Sequence, residues 1–153
     1  MDWPFIWKAS RNKAAGPRDD VTYEVTGFES APITLNEAKS TWDIAGRNFQ
    51  VLSKGVFGSE LKCDDTIIAT ARKTPIMFRY TMQHNGAESK LRAGVCGRKF
   101  VYFNDGRRTG VISPGPYPSF LHGITMELPD ELPHGVQIFL LLLAIRIWSL
   151  PAD

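Results

Sequence analysis

The titratable and nucleophilic residues of this chain show no spacing that is typical of a catalytic or metal site. The 153-residue sequence holds two cysteines and three histidines, namely Cys63, Cys96, His84, His122 and His134. The cysteines match no metal-ligand spacing, and the histidines are scattered along the chain. The sequence therefore predicts no metal or other cofactor, and we expect a non-enzymatic protein.

Residues 55–59 (GVFGS) and two acidic pairs also lack a catalytic pattern. A nucleophile elbow needs a serine between two glycines, and residues 55–59 do not provide it. Side chains that are adjacent on a strand point to opposite faces, so we interpret Asp64-Asp65 and Asp130-Glu131 as turn and helix-start residues. An enzyme whose site joins distant residues, such as His84 or His122 beside a carboxylate, is kept as an alternative.

Basic residues provide a clearer indication of binding chemistry than any of these groups. Lysine and arginine total 18 against 16 aspartates and glutamates, and this net charge of +2 does not indicate a nucleic-acid binder. The aromatics Phe100, Tyr102 and Phe103 are interpreted as core residues of a strand rather than as a base-stacking surface. Basic residues are nevertheless concentrated in the middle third of the chain, at Arg72, Lys73, Arg79, Lys90, Arg92, Arg98, Lys99, Arg107 and Arg108.

Such residues can bind anionic phospholipid headgroups where they converge on one rim. The residues predicted for this role are Arg72, Lys73, Arg79, Arg98, Lys99, Arg107 and Arg108. On a hairpin that turns at Asp105-Gly106, Arg98 and Lys99 lie near the open end and Arg107 and Arg108 lie near the turn, so the two pairs need not form one patch. Alternatively, the basic side chains keep the outside of a sheet soluble.

The elements that must position these residues are short strands joined by hairpin turns. Runs of alternating bulky and polar residues recur about every ten residues, as in a β-barrel or sandwich. The predicted strands cover residues 21–25, 41–44, 48–53, 56–63, 66–72, 76–83, 87–93, 98–103, 107–113 and 119–128. Asn85-Gly86 is the strongest turn signal, because both residues tolerate the positive φ of a type I′ turn. Residues 32–40 are predicted to form one helical turn or an irregular connection.

The most apolar run of the chain lies close to its C-terminus, at residues 136–150. Residues 138–145 carry no polar side chain, and at about 100° per residue they cover every face of a helix. The run is short for a transmembrane span, since fifteen residues at about 1.5 Å each reach roughly 22 Å against a hydrocarbon core of roughly 30 Å. We therefore predict a helix over residues 133–149 that is enclosed by a closed sheet. A membrane-anchoring helix, with Arg146 and Trp148 at the interface, is the alternative.

An antiparallel barrel threaded by one hydrophobic C-terminal helix resembles the architecture shared by tubby domains, phospholipid scramblases and LURP-one-related proteins. The resemblance covers about residues 40–150. It depends on the order of hairpins, the strand–DG–strand unit RKFVYFNDGRRTGVIS at residues 98–113, a last strand and the helix IFLLLLAIRIW. It implies a binding module rather than an enzyme. The chain lacks the acidic calcium-binding segment, the proline-rich N-terminus and the palmitoylated cysteine cluster of animal scramblases, so lipid scrambling is not implied.

These observations combine into one predicted organisation. Residues 1–20 are predicted as an N-terminal tail or linker, and residues 21–153 as a single antiparallel barrel of about ten to twelve strands around the helix. The N-terminus lacks the pattern of a secretory signal, and its aromatic residues could contact a membrane interface or pack on the fold. We expect a cytoplasmic protein, at most peripheral at the membrane, that binds anionic lipid or a protein partner. Its oligomeric state stays open.

Overall fold

Twelve antiparallel strands close into a barrel around one C-terminal helix, which confirms the predicted fold class. The computed structural model describes residues 6–12, 22–27, 33–37, 39–74, 79–93, 98–115, 121 and 123–149. The strands are β1 (Ile6–Asn12), β2 (Thr22–Thr26), β3 (Ile33–Asn36), β4 (Thr41–Ile44), β5 (Arg47–Lys54), β6 (Gly58–Cys63), β7 (Thr66–Lys73), β8 (Arg79–His84), β9 (Ala87–Ala93), β10 (Phe100–Asn104), β11 (Arg107–Ser113) and β12 (Ile124–Glu127). The helix α1 spans His134–Trp148.

The strands follow one another around the ring in chain order, and β1 closes it by pairing with both β2 and β12. The structure here differs from the predicted tail, because residues 6–12 belong to the barrel. This segment has little β-branched alternation of its own, and its conformation depends on hydrogen bonds to two neighbouring strands. Residues 33–36 form β3 instead of the predicted helical turn or irregular connection, with Ile33 and Leu35 buried and Thr34 exposed.

Two-residue turns with positive φ join several of the strand pairs. Both residues have positive φ in the Ala45-Gly46, Asn85-Gly86 and Asp105-Gly106 turns. This is the geometry of type I′ turns, whose twist matches that of the strands on either side. The turn at Asn85-Gly86 therefore confirms the sequence-based prediction, and it fixes which residues of β8 and β9 lie opposite each other.

The helix fills the barrel, and its apolar side chains contact the inner faces of the strands. Residues 136 and 138–145 of α1 are fully buried. The inner faces supply large side chains such as Tyr23, Leu61, Met82 and Phe100, which alternate with outward residues along each strand. No helix within the described parts of the chain is long and apolar enough to span a bilayer.

The barrel has two ends that differ in their contents. At the lower end α1 begins, and its Gly135 packs so closely against the Phe49 ring that a Cβ there would collide with it. At the upper end α1 terminates, and Arg146 and Trp148 contact residues of the barrel wall. The strand register places the β5–β6 turn, the ends of β7 and β9 and the starts of β8 and β10 at the upper end.

Candidate functional site

Three of the predicted anion-binding residues meet at the upper end, where β7 ends and β8 begins. Arg72 and Lys73 are the last residues of β7, and Arg79 is the first residue of β8. Lys73 lies opposite Tyr80, and the backbone N–H of Thr74 donates a hydrogen bond of 2.9 Å to the carbonyl of Arg79. Arg72 and Arg79 point outward from these paired strands, whereas Lys73, opposite the buried Tyr80, belongs to the inward row at the rim of the barrel.

Arg79 lies directly opposite Arg92 on the neighbouring strand β9. Both side chains point outward, because the adjacent Tyr80 and Leu91 are buried inside the barrel. Two like charges directly opposite each other destabilise a sheet. The Arg92 guanidinium is 5.4 Å from the centroid of the Phe103 ring, which gives this charge a cation–π contact. This contact offsets part of the repulsion between the two arginines.

Arg92 and Lys90 were outside the set of residues predicted to bind anions, although the sequence contained a signal for them. A two-residue turn at Asn85-Gly86 requires that residues equally distant from the turn lie opposite each other. Counting outward from it places Arg92 opposite Arg79 and Lys90 opposite Thr81, as the structure has them. Thr81 in turn lies opposite Arg72, so basic residues lie on each side of it.

Arg98 and Lys99 also lie at the upper end, immediately before β10, and both are exposed. The indole Nε1 of Trp148 donates a hydrogen bond of 2.6 Å to the carbonyl oxygen of Arg98. The Trp148 ring also packs against Phe100, with centroids 5.6 Å apart. The end of the helix thus fixes the backbone that carries these two cations.

The structure does not bring Arg107 and Arg108 to the same place. They follow the Asp105-Gly106 turn at the lower end, and both are exposed. Shallow depressions on this side of the barrel combine charges of both signs. One contains Arg108 with Glu127 and Asp130, as its lining shows. Carboxylates therefore lie beside Arg108, and a second depression on this side contains Arg92 together with Glu88 and Asp105.

Charge is segregated along the barrel axis among the described residues. Basic side chains dominate the upper end, at Lys39, Lys54, Arg72, Lys73, Arg79, Arg92, Arg98 and Lys99, with Glu37 and Glu60 as the described carboxylates of that end, while Lys8, Glu24 and Lys90 lie midway along their strands. Acidic side chains dominate the lower end, at Asp43, Asp64, Asp65, Glu88, Asp105, Glu127, Asp130 and Glu131, interspersed with Arg47, Lys62, Arg107 and Arg108. A net charge of only +2 conceals this separation.

Arg146 lies between the helix and the wall just inside the upper end. Its guanidinium donates to the hydroxyls of Ser40 and Ser59, at 2.9 and 3.4 Å. Burial lowers the pKa of Arg146, while Tyr80 and then Glu37 act in the opposite direction. Burial also raises the pKa of Tyr80, and the charge of Arg146 partly offsets this. Hydroxyl groups therefore serve as the polar partners of this arginine. Its charge adds to the positive potential of the upper end.

A groove with a volume of about 910 Å³ opens on the outer wall beside these residues. Its floor consists of outward side chains of β6, β7 and β8, including Thr70, Arg72, Thr81 and Gln83. The β5–β6 turn overhangs one side, where Val56 and Phe57 are exposed at 88% and 37%. An ion pair of 3.2 Å between Lys54 and Glu60 lies at the base of this turn. The groove combines hydroxyl, amide and guanidinium groups with an apolar rim.

The histidine, cysteine and carboxylate side chains were the other candidates for a metal or catalytic site. The described residues contain no cluster of histidine, cysteine and carboxylate side chains that could hold a metal ion. Cys63 is a buried free thiol, whereas Cys96 and His122 lie outside the described residues. Comparison of the chain with protein-family models, with curated proteins and with solved structures found no match.

Proposed function

We propose that this protein is a non-enzymatic binding module that attaches to anionic phospholipid membranes through the upper end of its barrel. The observation that carries the proposal is the separation of charge along the barrel axis, with the Arg79–Arg92 pair at the centre of the basic group. In this proposal the protein is cytoplasmic and binds the membrane peripherally. The resemblance to tubby, LURP-one-related and scramblase-like proteins agrees with a binding module of this kind.

Electrostatics supports this end of the barrel as the contact surface. The cytoplasmic leaflet is negatively charged, and each lysine or arginine near it contributes about 1 kcal/mol of attraction. Because carboxylates dominate the lower end, the molecule approaches an anionic surface with the upper end forward. Strand pairing fixes the backbone of Arg72, Lys73, Arg79 and Arg92, so little backbone entropy is lost when these residues contact headgroups.

The Arg79–Arg92 pair gives the proposal a second physical argument. Opposed like charges cost stability in the free protein, and anionic headgroups between them would relieve this repulsion. Loss of these charges should therefore weaken membrane binding, and any loss of stability should be limited to the cation–π contact of Arg92, about 0.5–1 kcal/mol. This expectation separates a binding role from a structural one.

Vesicle sedimentation tests the proposal with two matched variants. Arg79→Gln/Arg92→Gln removes two charges from the upper end, and Arg107→Gln/Arg108→Gln removes two from the lower end. With vesicles of equal parts phosphatidylcholine and phosphatidylserine, we expect the upper-end variant to partition about 30-fold less than wild type, which corresponds to about 1 kcal/mol per arginine. The lower-end variant should differ little from wild type.

Salt and lipid composition provide the controls. Binding should weaken as ionic strength rises and should be absent with pure phosphatidylcholine vesicles. Equal losses in the two variants would show that net charge matters rather than the upper end. No binding of wild type to anionic vesicles at low salt would contradict the membrane proposal, and capture of an acidic soluble protein by the same residues would then indicate a protein partner.

A further inference from the structure

Among the described residues of the upper end, the β5–β6 turn carries the exposed large apolar side chains. We refer to residues 55–57 as the apolar tip. Val56 is 88% exposed and Phe57 is 37% exposed, while the other large apolar residue that is exposed among the described residues, Ile67, belongs to β7 at the lower end. Two of the three exposed large apolar residues therefore lie next to the basic group.

The tip is built as a fixed turn rather than as a loose loop. The backbone N–H of Lys73 donates a hydrogen bond of 2.8 Å to the carbonyl of Phe57, which ties the tip to the end of β7. Gly55 has a φ of 69°, and Gly58 passes so close to the carbonyl of Lys54 that a Cβ would collide with it. The chain thus uses two glycines to hold Val56 and Phe57 outward.

Cations lie around the base of the tip. Lys54 precedes it directly and is 65% exposed, and Arg72 and Lys73 lie opposite the strand that follows it. Apolar side chains flanked by lysines and arginines are typical of surfaces that bind the boundary between headgroups and acyl chains. The apolar groups enter the boundary while the cations stay in the headgroup layer.

We infer that the apolar tip inserts Val56 and Phe57 into the acyl-chain boundary of an anionic phospholipid bilayer. This inference rests on the membrane binding proposed above and adds an apolar contribution and an orientation to it. Two side chains on one turn form too small a surface for a protein interface, which takes about 800 Å² per partner. A fluid bilayer needs no complementary pocket, and its negative charge complements Lys54, Arg72 and Lys73.

The first test compares matched changes at opposite ends of the barrel. Val56→Ser/Phe57→Ser removes the apolar groups of the tip and leaves every charge in place, and Ile67→Ser removes an exposed apolar group at the lower end. With vesicles of equal parts phosphatidylcholine and phosphatidylserine, the tip variant should partition about tenfold less than wild type, a difference of about 1.4 kcal/mol. The Ile67→Ser control should partition as wild type does.

A second measurement reports insertion directly and does not depend on affinity. Val56→Cys or Ile67→Cys, each in a chain with Cys63→Ala and Cys96→Ser, is labelled with an environment-sensitive fluorophore. On addition of the same vesicles, emission of the label at position 56 should shift to shorter wavelength and be quenched by lipids with brominated acyl chains. The label at position 67 should stay unchanged.

The outcomes separate this inference from the proposed function. If wild type binds anionic vesicles in a salt-dependent manner while the label at position 56 is not quenched, the tip does not insert, and the electrostatic proposal stands alone. If the tip variant partitions as wild type does, the inference is also overturned. If wild type binds no anionic vesicle, both proposals fail together.

Discussion

The guanidinium of Arg146 donates a hydrogen bond of 2.9 Å to the hydroxyl of Ser40, although 106 positions separate the two residues in the chain. The bond joins the last turn of the central helix to the β3–β4 connection. It gives the helix a directional polar contact inside a wall of apolar side chains. This contact is satisfied in one rotation of the helix about its axis. Ser59 accepts a second, longer bond from the same guanidinium.

A double-mutant cycle measures this contact. Arg146→Met and Ser40→Ala should each reduce the free energy of unfolding, and their coupling should be about 1–2 kcal/mol, because the donor is charged and the acceptor is buried. Urea denaturation of the four proteins provides the values. Arg146→Met combined with Thr34→Ala, an exposed β3 residue, is the control and should be additive. A coupling energy equal to that of the control would contradict the role of the bond.

Gly135→Ala should reduce the free energy of unfolding by about 1–3 kcal/mol, the usual range for overpacked cores. Helix propensity alone favours alanine over glycine by about 1 kcal/mol in a helix interior. A loss of stability would therefore show that the packing collision outweighs helix propensity, and a gain would show the reverse. A Cβ at this position would collide with the Phe49 ring, which stacks on Trp42 with centroids 5.7 Å apart and cannot move freely.

Phe49→Leu provides the control for this substitution. The smaller side chain removes the obstructing ring, so the double variant Gly135→Ala/Phe49→Leu should lose less stability than the sum of the two single changes. Thermal denaturation followed by circular dichroism is sufficient to compare them. An increase in stability for Gly135→Ala alone would show that the lower end is packed less tightly than the structure has it.

Truncation after Leu132 should abolish cooperative unfolding, because it removes the helix that occupies the barrel interior. The fully buried leucines, isoleucines and phenylalanine of α1 would each contribute about 1.5–3 kcal/mol. A milder variant, Leu141→Ala, should cost about 2–5 kcal/mol and keep the fold. A truncated chain with a sharp unfolding transition would contradict this and would favour a helix that serves as an anchor.

Tyrosine ionisation should make the protein sensitive to alkaline pH. Burial raises the pKa of Tyr80 above its usual value of 10.0, so the unfolded chain loses this proton first as pH rises. The stability linked to Tyr80 is therefore complete below about pH 10 and is lost as pH rises through the folded-state pKa. Denaturation at a series of pH values should show a slope that Tyr80→Phe reduces by up to about 1.4 kcal/mol per pH unit.

Tyr102 provides the comparison for this experiment. Its pKa is also raised by burial, so Tyr80→Phe should leave part of the alkaline slope in place. The double variant with Tyr102→Phe should reduce the slope further. Identical slopes for wild type and Tyr80→Phe would show that the phenol of Tyr80 is solvated in the folded protein.

The fold was predictable where local signals agreed with the final structure. The apolar run of α1 favours an enclosed helix, and Asn85-Gly86 favours a type I′ turn. Both confirmed the sequence-based prediction. Strands β1 and β3 were not predictable in the same way, because a segment as short as the four residues ITLN adopts strand geometry only when neighbouring strands pair with it. Their place in the ring is a property of the whole sheet.

The candidate site was predictable only in part, for a related reason. Basic residue types were visible in the sequence, but their grouping depends on which ends of the strands coincide. Arg98 and Arg107 are close in sequence and lie at opposite ends of the barrel, whereas Arg79 and Arg92 are opposite each other. Serine partners for Arg146 could not be predicted, because Ser40 of the β3–β4 connection and Ser59 of β6 meet the end of the helix only after the barrel closes.

Ring closure also limits how a partner can recognise this protein. Since every strand from β1 to β12 has a neighbour on each side, the described ring has no open edge strand for a peptide to extend, although Asn36 and Thr41 form the single residue pair between β3 and β4. Recognition through the wall must instead be carried by side chains and by the turns that connect the strands. Changes in affinity or specificity can therefore arise from surface substitutions that leave the backbone hydrogen bonds of the barrel intact.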